Sequence, residues 1–419
     1  MFHFRKYWQS VGPGVITGAA DDDPSGVVTY SQTGAQFGYR LAWLALYTMP
    51  LMMAVQEMSA RIGLVTRQGL GRVIRQRVSR RVSFALALGL LIVNTINISA
   101  DLNALAAVTK LLLPGPAVMY VFLFALVILL LEVRVTYRRY ANVLKWLTIT
   151  LLSYVLVAFL VRQNWGAMAW QTLVPGFPGG SSGWYLVTAI LGTTISPYLF
   201  FWQASEEVEE ENLWQKMKSK MHQALPDRIR AMRHDTVTGM IYSNLIMFFI
   251  VIATAATLHQ AGITIITSAD QAAAALRPLA GSFAFSLFAL GIIGTGLLAI
   301  PVLAGSAAYA LAEVFDWPEG LGKKFRDAKA FYITIGVAIL GGALASVTGA
   351  NPIRFLILAA VLNGLLAPIM LWFIIRLASD CRVVGEHRSS PLVHTVGWLT
   401  FAFMTVVGLL TIIQLWLHR

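Results

Sequence analysis

The chain has 419 residues, of which 57% are hydrophobic and only 12% charged, with a formal net charge of +12 at pH 7. So little charge cannot cover the surface of a soluble protein of this length, which excludes the two or three soluble domains that length alone suggests. The single cysteine, Cys381, excludes an internal disulfide and a cysteine-built metal cluster.

The opening, Met1 to Gly12, is short and aromatic, with no apolar core ending in a small-residue cleavage site, so no removable signal peptide is expected. Eleven apolar segments follow, near residues 11–36, 40–65, 82–110, 116–133, 141–162, 184–204, 236–258, 280–312, 328–349, 352–376 and 393–416. Each is close to the roughly 20 residues that a bilayer-crossing helix needs. Basic residues alternate between them. The N-terminus (Arg5, Lys6), the segment after span 2 (six from Arg67 to Arg81) and that after span 4 (Arg134, Arg138, Arg139, Lys145) are rich in them. So are the segments after span 6 (six from Lys216 to Arg233), span 8 (Lys323, Lys324, Arg326, Lys329) and span 10 (Arg376, Arg382, Arg388). Together these hold 25 of the 32 Lys and Arg, against six on the opposite side, with Arg61 inside the end of span 2. The asymmetry predicts a cytoplasmic N-terminus, an external C-terminus and an odd number of spans in the inner (cytoplasmic) membrane. It accounts for the basic excess without nucleic acid. The stretch 205–235 is the one sizeable segment expected outside the bilayer, a cytoplasmic loop. Its glutamates (Glu206, Glu207, Glu209, Glu210, Glu211) read either as a vestibule or metal-sensing element, or as the acidic first turn of a solvated helix; the second is preferred.

Two spans are interrupted. Span 1 reads Gly18-Ala-Ala-Asp-Asp-Asp-Pro-Ser-Gly26, and span 6 reads Gly192-Thr-Thr-Ile-Ser-Pro-Tyr198. Aspartates in mid-span cost roughly 2.5–3.5 kcal/mol each on insertion scales, and proline and glycine break the helix there. Unwound backbone at that depth survives only when buried in protein or lining a wet cavity. The breaks open each of two five-span halves, a first repeat over 11–162 and a second over 184–376, with 393–416 as an extra helix. That placement points to an inverted-repeat transporter with a midplane site. Asp23 offers a carboxylate there, Ala20 and Thr193 freed carbonyls, and Thr194 and Ser196 hydroxyls. No cysteine, histidine or methionine lies at either break, and an all-oxygen set suits a hard cation such as Mg²⁺ or Mn²⁺. Asp21 and Asp22 either join the site and its negative potential, or one of them caps the second half-helix or pairs with Arg61. Asp101, with Asp22, stands as a residue of an ion or proton path, or Asp101 makes a structural hydrogen bond to a neighbour, less readily on spacing to Asn94 or Asn97 of its own helix; Asn244 faces the site or bridges helices.

At these breaks the sequence resembles the NRAMP family of divalent metal transporters. Asp23-Pro24-Ser25-Gly26 stands where the family has Asp-Pro-Gly-Asn, and Ser196-Pro197-Tyr198 where it has Met-Pro-His. Gly12-Pro13-Gly14, Ala60-Arg61-Ile62-Gly63 with Thr66, Ser99-Ala100-Asp101-Leu102 and Gly291 to Ala312 extend the likeness over nearly the whole chain. The resemblance implies the LeuT-like fold: an all-α integral membrane protein of two inverted five-helix repeats plus an eleventh helix, with helices 1 and 6 broken. It also implies departures. The family's metal-binding asparagine is Gly26 here, its methionine Ser196, and the residue whose carbonyl binds metal Thr193. The coupling histidine is Tyr198, the acidic partner of Asp101 is Ala104, and the tenth-helix glutamine is Ala360, with Asn363 one turn away. The pattern is similar to the NRAMP-related magnesium transporters, a branch lacking the methionine, and implies a wider site for a more hydrated ion with weak or absent proton coupling.

The expected function is therefore uptake of a divalent metal cation, Mg²⁺ and/or Mn²⁺, by alternating access. The metal residues would be Asp23, Ala20, Gly26, Thr193, Ser196 and Asn363. Alternatives are a proton-coupled Mn²⁺/Fe²⁺ importer of ordinary family type, an organic-solute transporter on the same fold, and a receptor without transport. No catalytic constellation, resident cofactor, nucleic acid or obligate protein partner is expected; the partners are the ion and the lipid bilayer.

Overall fold

The computed structural model describes residues 12–135, 149–177, 179–216, 224–267, 269–347 and 352–417. The basic residues Arg5, Lys6, Arg138, Arg139, Lys145, Lys218 and Lys220, the start of the fifth span and the sequence before Gly12 lie outside them.

Every described element is a helix or turn. In chain order the main helices are α1 (Pro13–Asp21), α2 (Pro24–Phe37), α3 (Trp43–Thr66), α4 (Leu70–Arg75), α5 (Arg80–Leu112), α6 (Ala117–Arg134) and α7 (Ser153–Leu160). Then come α8 (Ser181–Thr194), α9 (Pro197–Lys216), α10 (Leu225–Thr254), α11 (Ala284–Phe315), α12 (Lys329–Ser346), α13 (Pro352–Ser379) and α14 (Pro391–Leu417). Among the described residues eight helices are long and apolar enough to cross a membrane. The three remaining expected spans are the α1–α2 pair, each half too short alone, α3, and the apolar stretch Ile149–Leu160.

Helices at the centre are buried on nearly every side, whereas α6 and α14 expose apolar side chains such as Leu126, Val133, Leu399 and Ile413. A hydrophobic exterior on a helix is what a lipid-facing position requires. Close helix approach depends on glycine at particular points. A Cβ at Gly63 would overlap the Ala204 carbonyl, and one at Gly192 the Ala360 carbonyl. The first contact brings α3 against α9 and the second α8 against α13, so both halves of the sixth span are fixed by neighbours.

The described residues of the segment 205–235 are helical rather than a loop, apart from Ala224. α9 carries helix through Lys216 and α10 resumes it at Leu225, so the two spans extend beyond their expected ends. The glutamates lie well inside α9 rather than in a first turn, and none is fully exposed: Glu207 is 5% and Glu211 3% exposed, and Glu206, Glu209 and Glu210 are half-buried. Glu209 accepts hydrogen bonds from Tyr309 and from the backbone N–H groups of Leu321 (2.6 Å) and Gly322 (3.1 Å). Glu211 pairs with Arg228 and, at 3.4 Å, with Arg67. Nearby, Glu313 accepts from Ser205 and from the Gly71 and Arg72 amides, at 2.8, 2.6 and 3.2 Å. Glu209, Tyr309 and Glu313 border a cavity of about 530 Å³, lined also by Arg72, Glu319 and Lys323 among others. No residue of either helix break lines it.

Candidate metal centre

Both expected interruptions are present, and proline explains their form. In a continuous helix the Ala20 carbonyl would accept from residue 24 and the Thr193 carbonyl from residue 197. Both are prolines, which have no N–H to give. α1 therefore ends at Asp21 and α8 at Thr194, with Asp22-Asp23 and Ile195-Ser196 as the unwound links. The freed carbonyl ends of α1 and α8 place partial negative charge at each break.

Asp23 is the N-cap of α2, in an extended conformation, with Pro24 at the first helical position. Its carboxylate is held on both oxygens. Oδ1 accepts from the Ser25 hydroxyl (2.7 Å) and the Gly26 amide (2.6 Å); Oδ2 accepts from the Asn97 side-chain amide of α5 (3.1 Å). The residue is 1% exposed.

Gly26 is where the two breaks meet. A β-carbon there would lie 3.0 Å from Thr193 Oγ1, 3.3 Å from Asp23 Oδ1 and 3.4 Å from the Asp21 carbonyl oxygen. Three oxygens from α1, α2 and α8 thus surround one point, and Thr193 Oγ1 is buried without a hydrogen-bond partner. The Ser196 hydroxyl points back into its own half-helix, donating to the carbonyls of Gly192 (2.6 Å) and Thr193 (2.9 Å). It reoccupies carbonyls that the break releases and leaves its oxygen lone pairs available.

The other expected residues fall as follows. Tyr198 is buried, its hydroxyl lacks a partner, and its electrostatic neighbours are Asp23, Asp21, Asp101 and Tyr30. Asp101 is fully buried with neither oxygen hydrogen-bonded, close enough to Asp23 and the Ser25 amide to interact with both electrostatically. Asn363 is 1% exposed with Oδ1 unpartnered, on the α13 turn whose Ala360 and Gly364 pack on Gly192 of α8. Ala20 is buried in the last turn of α1. Neither Asp21 nor Asp22 pairs with Arg61, which is bound instead to Glu57 and to the His387 carbonyl (3.0 Å). Both aspartates turn to α10, where Ser243 donates to Asp21 and lies 3.4 Å from Asp22 Oδ1. The cap of the second half-helix is Asp23 rather than either of them. Asn244 bridges helices, accepting from Thr48 of α3 at 3.1 Å.

Asn97, Ser243 and Tyr30 belong to this centre, and sequence reasoning does not single them out. Asn97 carries one signal, its position four residues before Asp101 on the same helix face. Among the described residues no three His, Cys, Asp or Glu side chains lie together as a ready metal cage. What the two breaks bring together is one hydrogen-bonded carboxylate, the Thr193 and Ser196 hydroxyls, freed carbonyls and the Asn97 carboxamide. Such a set can hold a hard cation that keeps part of its water.

A family model described as natural resistance-associated macrophage protein-like (Nramp) matches residues 14–414. The divalent metal cation transporter MntH of Aeromonas hydrophila subsp. hydrophila is 26% identical over 415 residues, covering 95% of this chain and 93% of that protein. Among solved structures, a manganese transporter of Eremococcus coleocola superposes with a TM-score of 0.76 at 19% identity, covering 98% of this chain and 87% of that one. Mhp1, a nucleobase-cation-symport-1 family transporter, gives 0.56 at 16% identity, covering 97% and 91%. These likenesses establish the LeuT-like all-helical fold.

Proposed function

The chain belongs to the Nramp family, and from that premise we propose that it carries a divalent metal cation, Mg²⁺ and/or Mn²⁺, across the cytoplasmic membrane, mainly inward, with weak or no proton coupling. The observation that carries the reading is the meeting of both helix breaks at Gly26, where Asp23, Thr193 and the Asp21 carbonyl oxygen surround one buried point. Every side chain there is an oxygen or amide donor. With Ser196 in place of a methionine, nothing soft selects a late transition metal, and the hard-ion preference follows from ligand type. Asp23 binds the ion, with the Ala20 and Thr193 carbonyls, Ser196, Asn363 and retained water completing the shell.

The 25-to-6 distribution of Lys and Arg supports a cytoplasmic N-terminus and an external C-terminus. An inside-negative potential contributes about 2.3 kcal/mol per charge per 100 mV, so a doubly charged ion enters without a proton gradient. A second reading, a proton-coupled Mn²⁺ importer, is favoured by one feature: the buried Asp101 carboxylate within electrostatic reach of Asp23.

The test is uptake of Mg²⁺, Mn²⁺ and Ca²⁺ into proteoliposomes with internal pH recorded, for wild type and Asp23→Ala. Mg²⁺ or Mn²⁺ entry without acidification, lost in the variant, is the expected result. Acidification accompanying entry would favour the coupled reading. No divalent flux through folded protein would overturn metal transport.

A further inference from the structure

Resting on the metal-transport reading above, we propose that Asn97 of α5 supplies the carboxamide oxygen of the ion's ligand shell, in place of the side chain that Gly26 lacks.

The orientation of the Asn97 amide is fixed by its partner. Nδ2 lies 3.1 Å from Asp23 Oδ2. An ionised carboxylate only accepts hydrogen bonds, so the NH₂ group must be the one facing it and the carbonyl oxygen the one facing away. That oxygen, Oδ1, is buried and has no hydrogen-bond partner, in a residue that is 0% exposed.

Its distance from Asp23 is bounded by covalent geometry. Oδ1 and Nδ2 share one carbon, which places Oδ1 within about 5.5 Å of Asp23 Oδ2 for a hydrogen bond of this length. Oxygens on a six-coordinate ion with bonds of ~2.1 Å lie about 3 Å apart when adjacent and about 4 Å when opposite. Asn97 Oδ1 and Asp23 Oδ2 can thus share one ion, or one ion and its bound water, after a shift of about an ångström. The donated hydrogen bond meanwhile holds the carboxylate in place, the part that an outer partner plays for a metal ligand.

The broken helix itself cannot provide this oxygen. Gly26 has no side chain, and the space beside it is bordered by Thr193 Oγ1 and Asp23 Oδ1. A carboxamide arriving from α5 adds a hard, uncharged oxygen, leaving Asp23 as the charged ligand. It also ties α5 to the ion, so that occupancy is felt by a helix that belongs to neither break.

The experiment uses the full chain in proteoliposomes, with Mg²⁺ and Mn²⁺ uptake measured for wild type, Asp23→Ala, Asn97→Ala and the double variant Asn97→Ala with Gly26→Asn. The expected result is a KM for both ions raised about tenfold or more in Asn97→Ala, with Vmax within about threefold of wild type and an unchanged melting temperature. A carboxamide supplied by Gly26→Asn should recover most of the loss, because it brings an amide oxygen to the Asp23 carboxylate from the other helix. An unchanged KM in Asn97→Ala overturns the proposal. So does a loss that the folded double variant does not recover, since Asn97 would then serve only to position Asp23. If the double variant does not fold, Mn²⁺ titration of Asn97→Ala by calorimetry decides: a Kd weakened tenfold or more supports a ligand, an unchanged Kd overturns it. Wild type without flux, or Asp23→Ala with full flux, would overturn the transport reading itself, a failure separate from that of Asn97.

Discussion

Gly18 of α1 packs backbone to backbone on Gly239 of α10: a β-carbon at Gly18 would overlap the Gly239 carbonyl, and one at Gly239 would overlap the carbonyl of Gly14. A turn earlier, a β-carbon at Gly14 would lie 2.5 Å from the Thr236 amide nitrogen. The half-helix that ends at the first break is therefore seated directly on the seventh span. Gly18→Ala must push α1 away from α10, at a cost of about 1–3 kcal/mol for overpacking. We expect a lower melting temperature in detergent and reduced uptake, with Gly18→Leu inactive. A melting temperature unchanged in Gly18→Ala would mean that the two helices are not in contact.

The same half-helix is held at its start by charge. Asp235 of α10 accepts from the amides of Gly12 (3.1 Å) and Gly14 (2.6 Å), serving as an N-cap borrowed from another helix. Loss of a cap costs about 1 kcal/mol, and a carboxylate facing a helix N-terminus adds a few tenths more. Asp235→Ala should therefore loosen the start of α1 without changing the ligands of the site. Thiol labelling of a cysteine placed at Val15 reports this directly: faster labelling in the Asp235→Ala background is expected, and equal rates would refute the cap.

Glu57 joins three parts of the fold through buried charge. It pairs with Arg61 on its own helix and with Arg233 of α10 at 3.2 Å, while Arg61 reaches the His387 carbonyl. Removing one partner of a buried ion pair leaves the other uncompensated, typically at about 3–5 kcal/mol. Glu57→Ala should fall in that range by thermal or denaturant unfolding, with Glu57→Gln milder because it keeps an acceptor for Arg61. Equal, small losses in both variants would show that Arg61 does not depend on Glu57.

Outside the spans, burial and then the charge of Glu313 push the Glu319 carboxyl up, to about 8 from its ordinary 4.5. Between those values the folded protein holds a proton that the unfolded chain has released. Stability from this group is thus complete below its ordinary value and is lost as pH rises through the folded one. Glu319→Gln removes the titration, so the stability difference between variant and wild type should shift in the variant's favour from about pH 5 to about pH 9. The contact with Arg72 at 3.1 Å is partly exposed and becomes an ion pair only once Glu319 ionises, so its loss adds only a small penalty at the high-pH end. A difference independent of pH would contradict the shift.

The helix breaks are legible in the sequence because proline and aspartate inside an apolar run are too costly to keep unless the helix opens there. The carbonyls of Ala20 and Thr193 can even be assigned by counting four residues back from Pro24 and Pro197. What fills the space around the breaks is not legible. Asn97 and Ser243 are single polar residues in long helices, and nothing local distinguishes one that reaches an ion site from one that bridges neighbours. The burial of the α9 glutamates is hidden for a related reason. A charge run looks the same on a solvated face as on a buried one, and the donors that bury Glu209 come from Tyr309, Leu321 and Gly322, about a hundred residues away.

Ser243 has one hydroxyl proton and two carboxylates to serve. It donates to Asp21, while Asp22 Oδ1 stands 3.4 Å away, at the edge of hydrogen-bonding distance. Asp21 Oδ1 and Asp22 Oδ2 are buried without partners, so this pair depends on Ser243 more than Asp23 depends on any one of its three donors. Ser243→Ala leaves a buried acceptor unsatisfied, worth about 1–3 kcal/mol. Asp21→Asn changes what that acceptor demands, since an amide brings its own donors. The two substitutions should therefore fail to add: a double-mutant cycle in unfolding free energy is expected to show a coupling of about 1–2 kcal/mol, with the double variant more stable than the sum of the singles. Strict additivity would mean that Ser243 and Asp21 act independently, and the tie between α1 and the middle of α10 would have to rest on the glycines alone.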